Sequence, residues 1–421
     1  MENKAARFDL TLLMEENEQG LKGSLEYNSY LFERVSMEQM MASFQIMLEA
    51  LVADPDQHIW DLPLLAVSPV EQQEESAFPA SASPMPHIQE LFARQAMRTP
   101  TAPALVYKGE QLTYQELNQR ANRVARQLLL LGVQPHMHVG LALERSLDLV
   151  VGLLGILKVA GVYVPLEVPS ACGDVLKDAH IQYVVTRQEL ATHFQTHAIT
   201  CLCLETLEGV AAPTQETIAE NAIDADSILA ILYQESTPST ALPACIYQNN
   251  EQIGTFLNYA RQQRWESAAG SVWSPLSSAL FLYELLLPLT TGGAAHLVPE
   301  QMCLQGLAYS AWLAEHKISS AYVPMSLLPD LLAWTRQGQP SHLRLLLTQA
   351  PAFPEQQLLA LQQALPHTRI INGYGTPEVA PWATLYEVRA STGPRRCTPV
   401  GSPIDDTQLF LLDQYMHPVP R

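Results

Sequence analysis

Apolar and polar positions follow two different periods along this chain. Residues 8–13 (FDLTLL) and 21–27 (LKGSLEY) alternate with period two on either side of an acidic EENEQG segment, which predicts two strands joined by a turn. Ser36 to Leu51 (SMEQMMASFQIMLEAL) follows the helical period, with Ser36 as N-cap and Gln39 three residues on, a capping-box arrangement. Two strands and a helix bury little surface by themselves, so this piece is expected to need a partner. Residues 67–86 have no period. Proline, a Glu/Gln run and small polar residues mark them as a linker.

From His87 onward helix and strand alternate. His87–Met97 reads as a helix and Ala104–Tyr107 as a strand, followed by a Lys108-Gly109 turn. Thr113 caps the next helix with Glu116 at the box position, and Gly132 ends it. Val139–Ala142 is a strand, Leu147–Val159 a mostly buried helix and Val162–Pro165 a strand. Further strands fall at Tyr183-Val-Val, Ile228–Leu232, Val272-Trp-Ser, Ala294–Val298, Ser320-Ala-Tyr-Val, Leu343–Leu347 and Arg369-Ile-Ile. Helices fall near Glu251–Gln263, Leu280–Leu287 and Gly306–His316. This order predicts an α/β protein with a mainly parallel sheet covered by helices on both faces.

Composition narrows the function. The chain has 421 residues, of which 48% are apolar and 16% charged, as expected for packed domains and not for a disordered chain. With 24 Lys+Arg against 43 Asp+Glu, a basic surface is hard to assemble, which argues against nucleic acid as partner. The N-terminus has Lys4 and Arg7 but no apolar core of signal-peptide length. The longest apolar stretch, Leu147–Leu166, is broken by Asp148, Lys158, three glycines and Pro165, so no membrane span is expected. These features point to the cytoplasm.

The six cysteines are scattered. Cys201 and Cys203 lie in a strand-like run (CLCLETL) that aims both into a core, just after His193 and His197; the spacing is not that of a zinc site, and free thiols are the reading. No histidine is spaced to form a nucleophile–base pair. His316 is expected to be a helix C-terminal cation and Glu284 to cap or orient a helix.

One stretch carries more chemistry than the rest. In Ile231–Tyr247 (ILYQESTPSTALPACIY) two apolar runs flank a segment of Ser, Thr and Pro, a strand–loop–strand pattern. A loop that cradles phosphates needs glycines, so that N–H groups can point inward, and usually a lysine. This one offers the hydroxyls of Ser236, Thr237, Ser239 and Thr240, without a glycine or a basic residue. Read alone, those hydroxyls suit turn residues bonding their own backbone as well as phosphate ligands.

Four stretches in order resemble the adenylation domain of nonribosomal peptide synthetases. They are Leu112-Thr-Tyr-Gln-Glu-Leu-Asn118 with Ala121-Asn-Arg-Val-Ala; Leu157-Lys-Val-Ala-Gly-Val-Tyr-Val-Pro-Leu-Glu167; Asn372-Gly-Tyr-Gly-Thr-Pro-Glu378, similar to the family's NxYGPTE; and Val400-Gly-Ser-Pro-Ile with Thr407–Asp413 and Pro418-Val-Pro. Separately, Phe8-Asp-Leu-Thr-Leu, Ser24-Leu-Glu-Tyr-Asn and the Ser43–Leu51 helix resemble the tail of a condensation domain, with Ile59–Leu65 as its exit. The resemblance implies three parts: 1–66 a condensation-domain C-terminal remnant of small α+β type, 67–86 a linker, and 87–421 an adenylation-type large N-terminal subdomain. The family's C-terminal subdomain, with its catalytic Lys, is expected to be absent.

The same resemblance makes the Ile231–Tyr247 loop the seat of ATP's phosphates. The family's loop reads YTSGTTGKPKG; its proline aligns with Pro243, its glycines fall on Pro238, Ala241 and Cys245, and its lysines on Leu242 and Ala244. A Cβ or a proline ring blocks close approach to phosphate oxygens. One lost preorganised donor commonly costs about 3 kcal/mol in a transition state.

For ATP and Mg²⁺ the resemblance implies Ser239, Thr240, Asn372, Tyr374, Gly375, Thr376 and Glu378 as cofactor-binding residues, with Tyr374 stacking on adenine and Glu378 as the metal ligand. Tyr374 as a core aromatic and Glu378 as a solvated loop carboxylate are the plain alternatives. Thr376-Pro377 stands in place of the family's Pro-Thr, which shifts the hydroxyl by one residue. The acid pocket falls on Ala279, Leu280 and Tyr283. Ala279 takes the place of the Asp that holds a substrate's α-ammonium, and a buried ammonium without a carboxylate is uncompensated.

The expectation is a degenerate adenylation core with impaired catalysis and a scaffolding role beside condensation and carrier-protein domains. Two alternatives stay open. One is an AMP-forming ligase for a keto or hydroxy acid, a small carboxylic acid converted to acyl-adenylate. The other is an ATP-binding sensor without turnover.

Overall fold

The computed structural model describes residues 8–18, 20–59, 62, 87–166, 172–197, 199–207, 227–233, 245–265, 267–350, 353–378, 380–389, 397–405, 407–412 and 416. The linker 67–86 and the loop residues Ser236, Thr237, Ser239 and Thr240 lie outside them. The chain divides into two compact units, Met1–Ala80 with Asp406–Arg421, and Ser81–Asp405.

In the first unit, β1 (Leu10–Asn17) and β2 (Gly20–Tyr27) form an antiparallel hairpin in register from Leu10↔Tyr27 to Asn17↔Gly20. Helix Arg34–Ala53 packs on it near Gly23 through Met41. Ser36 is not its N-cap. The helix starts two residues earlier, after an extended Glu33 with no side-chain cap bond, and an Arg34–Glu38 ion pair one turn apart (2.7 Å) supports the start instead.

The second unit holds two sheets. One is six-stranded, in the order β10-β9-β6-β5-β7-β8: β5 (His138–Ala142), β6 (Val162–Pro165), β7 (Tyr183–Thr186), β8 (Thr200–Cys203), β9 (Ile228–Tyr233) and β10 (Cys245–Asn249). It is parallel except for β9–β10, which pair antiparallel with Cys245 opposite Tyr233. The other is nine-stranded, in the order β17-β16-β15-β14-β13-β11-β12-β3-β4. Its parallel centre is β3 (Pro103–Tyr107), β11 (Ala269–Val272), β12 (Ala294–Leu297), β13 (Ser320–Tyr322), β14 (Leu345–Thr348) and β15 (Arg369–Tyr374). Antiparallel β4 (Glu110–Thr113), β16 (Thr384–Glu387) and β17 (Ser402–Pro403) close its edges. The mainly parallel, helix-flanked α/β architecture is the one the pattern predicts.

Local chemistry accounts for the elements. The Thr113 box is complete: its N–H donates to Glu116 Oε2 (2.8 Å), and Glu116 N–H donates back to Thr113 Oγ1 (3.2 Å). The next residue, Tyr114, is fully buried, and its hydroxyl donates to the Gly293 carbonyl at 2.7 Å, tying helix Tyr114–Leu130 to the exit of helix Phe281–Thr291. Helix Leu147–Lys158 is buried almost end to end, which is why it reads as one apolar run. Its Lys158 is 2% exposed, with the ammonium 5.9 Å from the centre of the Phe92 ring.

One local expectation changes and two others gain detail. Val272-Trp-Ser is not a strand, because β11 ends at Val272 and side chains take over the backbone groups of the next two residues, as described below. In β8 Leu202 enters the main core; on the alternate face Cys201 packs against a second core cluster, as expected, and it and Cys203 are half-buried. Burial pushes both thiols up, away from thiolate character. His316 follows helix Gly306–Glu315, with Nδ1 3.0 Å from the Trp312 carbonyl and the ring stacked on Trp312 at 4.5 Å.

Candidate active site

In parallel α/β sheets, ligand sites form beyond the carboxyl ends of the strands. The motif Asn372–Glu378 runs off that end of β15. Asn372 is fully buried, and both ends of its amide are spent on backbone: Oδ1 accepts from Ala350 N–H (2.8 Å) and Nδ2 donates to Pro399 O (3.0 Å). Its part in this site is to hold the strand end. Tyr374 turns outward with 41% of its surface exposed, so its ring is available for stacking and is not a core aromatic.

The two glycines of the motif are required by close approach. A Cβ on Gly375 would stand 2.0 Å from the Ala380 carbonyl oxygen, and one on Gly373 would stand 2.2 Å from Trp382 Cδ1. Thr376 is exposed, and its carbonyl accepts from Ala380 N–H (3.0 Å), closing a turn around Pro377. Glu378 is exposed too, its carbonyl 3.5 Å from Gln252 Nε2. Among the described residues no group of three or more His, Cys, Asp or Glu side chains is arranged to hold a metal ion. His193 Nδ1 is 3.2 Å from the Leu190 carbonyl.

The phosphate-loop hydroxyls Ser239 and Thr240 are outside the described residues, but the strand after the loop is tied to the pocket. Gln248, on β10, is fully buried and donates from Nε2 to the Ala279 carbonyl at 2.8 Å.

Ala279 and Leu280 are each 7% exposed, and Tyr283, in the first turn of helix Phe281–Thr291, is fully buried. Tyr283 meets Phe256 edge-on at 4.9 Å and Trp382 at 5.5 Å; Phe256 and Trp382 are 4.9 Å apart, and Tyr322 is 6.1 Å from Trp382. Phe256 and Trp382 therefore close around Tyr283, with Tyr322 behind Trp382. Reading the sequence did not single out Trp382. Its only signal was its place ten residues after Asn372, in the segment that folds back over the motif.

Glu284 does more than orient a helix. It is buried, and its Oε2 accepts the N–H of Trp273 (2.5 Å) and of Ser274 (3.3 Å), while Oε1 bonds the Ser274 hydroxyl. Burial pushes its pKa up to about 7, against the pull of those bonds and of Arg145. Arg145 donates to the carbonyls of Val272 (2.7 Å), Trp273 (3.0 Å) and Ser274 (2.6 Å). Sequence reading missed Arg145, since nothing in its neighbourhood marks a residue whose partners lie more than a hundred positions away. A cavity of about 260 Å³ opens beside it, lined among others by Leu141, Glu144, Pro165, Leu276, Ser277 and Glu300.

The family model "AMP-binding enzyme" matches residues 92–421. The chain is 30% identical over 441 residues to malpinin synthetase of Mortierella alpina, covering 99% of this chain and 6% of that protein. It is 30% identical over 446 residues to a dimodular nonribosomal peptide synthase of Bacillus subtilis (strain 168), covering 99% of this chain and 18% of that one. It thus spans a small part of the length of these relatives. Among solved structures, the nonribosomal peptide synthetase FmoA3 in an alpha-methyl-L-serine-AMP bound form superposes with a TM-score of 0.81 at 21% identity, over 99% of this chain and 48% of that one. With the motif order, the two-sheet fold and the family match in agreement, the chain belongs to the AMP-binding enzyme family, as an adenylation-type domain of the nonribosomal peptide synthetases.

Proposed function

We propose that this chain is a degenerate adenylation core that does not activate α-amino acids and acts as a structural element beside condensation and carrier-protein domains. The observation that carries this reading is the Tyr283 wall: Ala279 supplies no carboxylate for an ammonium, and Tyr283 packs with Phe256 and Trp382, with Tyr322 in turn against Trp382. The one buried carboxylate nearby in sequence, Glu284, is committed to Trp273 and Ser274. An ammonium placed there would lose its hydration without a counter-charge.

On this reading residues 1–66 are the remnant of a condensation domain and the protein is cytoplasmic. Tyr374, Gly375, Thr376 and Glu378, with Ser239 and Thr240, are what remains of an ATP–Mg²⁺ site. In an active relative of this type a carboxylate attacks the α-phosphate of ATP, giving an acyl-adenylate and pyrophosphate. The test is amino-acid-dependent exchange of pyrophosphate into ATP across the proteinogenic set. No exchange is expected, and robust exchange with one amino acid overturns the reading. Exchange with a keto or hydroxy acid alone would establish a ligase for that acid class instead.

A further inference from the structure

We propose that His138 and His180 form a two-imidazole site for a transition-metal cation of the nickel(II), copper(II) or zinc(II) class, at the amino ends of β5 and β7. The proposal does not depend on whether the chain adenylates anything.

Three observations carry it. Parallel pairing sets Val139 of β5 opposite Tyr183 of β7, so the turns that lead into the two strands meet. A pocket of about 250 Å³ opens there, lined by His136, Met137, His138, His180, Gln182 and Tyr183. Residues distant in sequence thus bring three imidazoles to one pocket, at the strand ends opposite to those that usually hold an α/β ligand site.

Second, backbone fixes the tautomer of two of these rings. His138 Nδ1 lies 2.7 Å from the Ala179 carbonyl oxygen, and His180 Nδ1 lies 2.8 Å from that of Asp178. A carbonyl only accepts, so each neutral ring carries its proton on Nδ1 and keeps its lone pair on Nε2. Among the described residues neither Nε2 has a hydrogen-bond partner. An N–H held by a backbone oxygen, with the other nitrogen on offer, is how proteins prepare a metal-binding histidine. Both carbonyls lie at the exit of helix Cys172–Asp178, where the partial negative charge favours a cation.

Third, His136 and His180 stand at positive φ, 64° and 52°, a conformation in which few side chains are found. Among the described residues no three His, Cys, Asp or Glu side chains are arranged to hold an ion, so the site is a two-point one, with water completing the ion's shell. Imidazole nitrogen selects the later transition metals over Mg²⁺.

Capping of the helix exit is the competing explanation, because a histidine beside the last carbonyls stabilises a helix end without any metal. Capping uses only Nδ1 and is indifferent to what Nε2 meets. His193 serves as the control: it is exposed, and its Nδ1 is 3.2 Å from the Leu190 carbonyl, but it does not line the pocket.

The experiment titrates the untagged, chelator-stripped protein with Ni²⁺ by calorimetry, beside His138→Gln, His180→Asn and His193→Asn. Asparagine tolerates the positive φ at 180, so that variant keeps the turn. Wild type is expected to give a saturable isotherm and to gain at least ~2 °C in melting temperature with Ni²⁺. His138→Gln and His180→Asn should each weaken binding by at least ~tenfold, and His193→Asn by less than ~twofold. Mg²⁺ should give neither heat nor shift. Absence of Ni²⁺ binding in wild type overturns the proposal, as does an equal response to Mg²⁺ or an equal loss in His193→Asn. A lowered melting temperature in the pocket variants with Ni²⁺ binding intact makes the two histidines caps and also overturns it. If His138→Gln does not fold, His180→Asn decides alone.

Discussion

Glu284 and Arg145 hold the same turn by complementary groups, the carboxylate through the N–H groups of Trp273 and Ser274 and the guanidinium through the carbonyls of Val272, Trp273 and Ser274. Buried backbone groups must find partners, and here side chains replace the strand that would otherwise continue β11. The turn leads directly into Ala279 and Leu280, so this pair sets the backbone of the candidate pocket.

Glu284 makes stability depend on pH. The unfolded carboxyl loses its proton near 4.5, whereas burial keeps it on in the folded state to about 7. Between those values the folded state binds the extra proton, so the group's contribution is full below 4.5 and falls as pH rises toward 7, by about 3 kcal/mol in all. In the structure the Ser274 hydroxyl donates to Oε1, and Oε2 accepts the two N–H groups. Arg145, Cys303, Tyr309 and Tyr322 are the ionisable side chains that interact with it electrostatically. Urea unfolding from pH 4.5 to 8 should show wild type losing stability relative to Glu284→Gln as pH rises; parallel curves would remove Glu284 as the cause.

Arg145→Ala leaves three carbonyls without their charged donor and is expected to cost roughly 2–4 kcal/mol. Arg145→Lys should recover only part of this, because an ammonium lacks the planar fork that serves three carbonyls at once. Chemical denaturation of the two variants beside wild type measures both.

Gly373→Ala and Gly375→Ala are each expected to cost about 3 kcal/mol or more, by overpacking. They differ in coupling. The first meets the Trp382 side chain and should be largely relieved in a Trp382→Gly background; the second meets the Ala380 backbone and should not. A double-mutant cycle by thermal unfolding distinguishes them.

Tyr374→Ala should leave stability within about 0.5 kcal/mol, because the ring is exposed. Wild type in excess Mg-ATP should show no thermal shift. A saturable shift that disappears in Tyr374→Ala would instead establish nucleotide binding.

Removing the box hydroxyl in Thr113→Ala should cost about 1 kcal/mol, seen as an earlier urea midpoint with an unchanged slope.

Much of the fold was legible because its signals are local. Leu147–Lys158 reads as buried helix from its own composition, and Thr113 to Glu116 declares a helix start within four residues. Ser36 misled because capping residues are common, and an exposed Arg34–Glu38 pair carries no pattern strong enough to outweigh the box signature. Val272–Ser274 reads as a strand by propensity, and only residues distant in sequence overrule it.

The sequence by itself determined the family, the order of motifs and the mainly parallel α/β build, because hydrophobic period and turn chemistry act over a few residues and survive in any context. It also placed Tyr374 and Ala279 within their motifs. Tertiary structure alone decided that Asn372 is consumed by backbone, that Arg145 reaches Val272–Ser274 and that Trp382 fills the niche over Gly373. Those relationships depend on which surfaces meet once the strands are stacked, and close packing fixes that only in three dimensions.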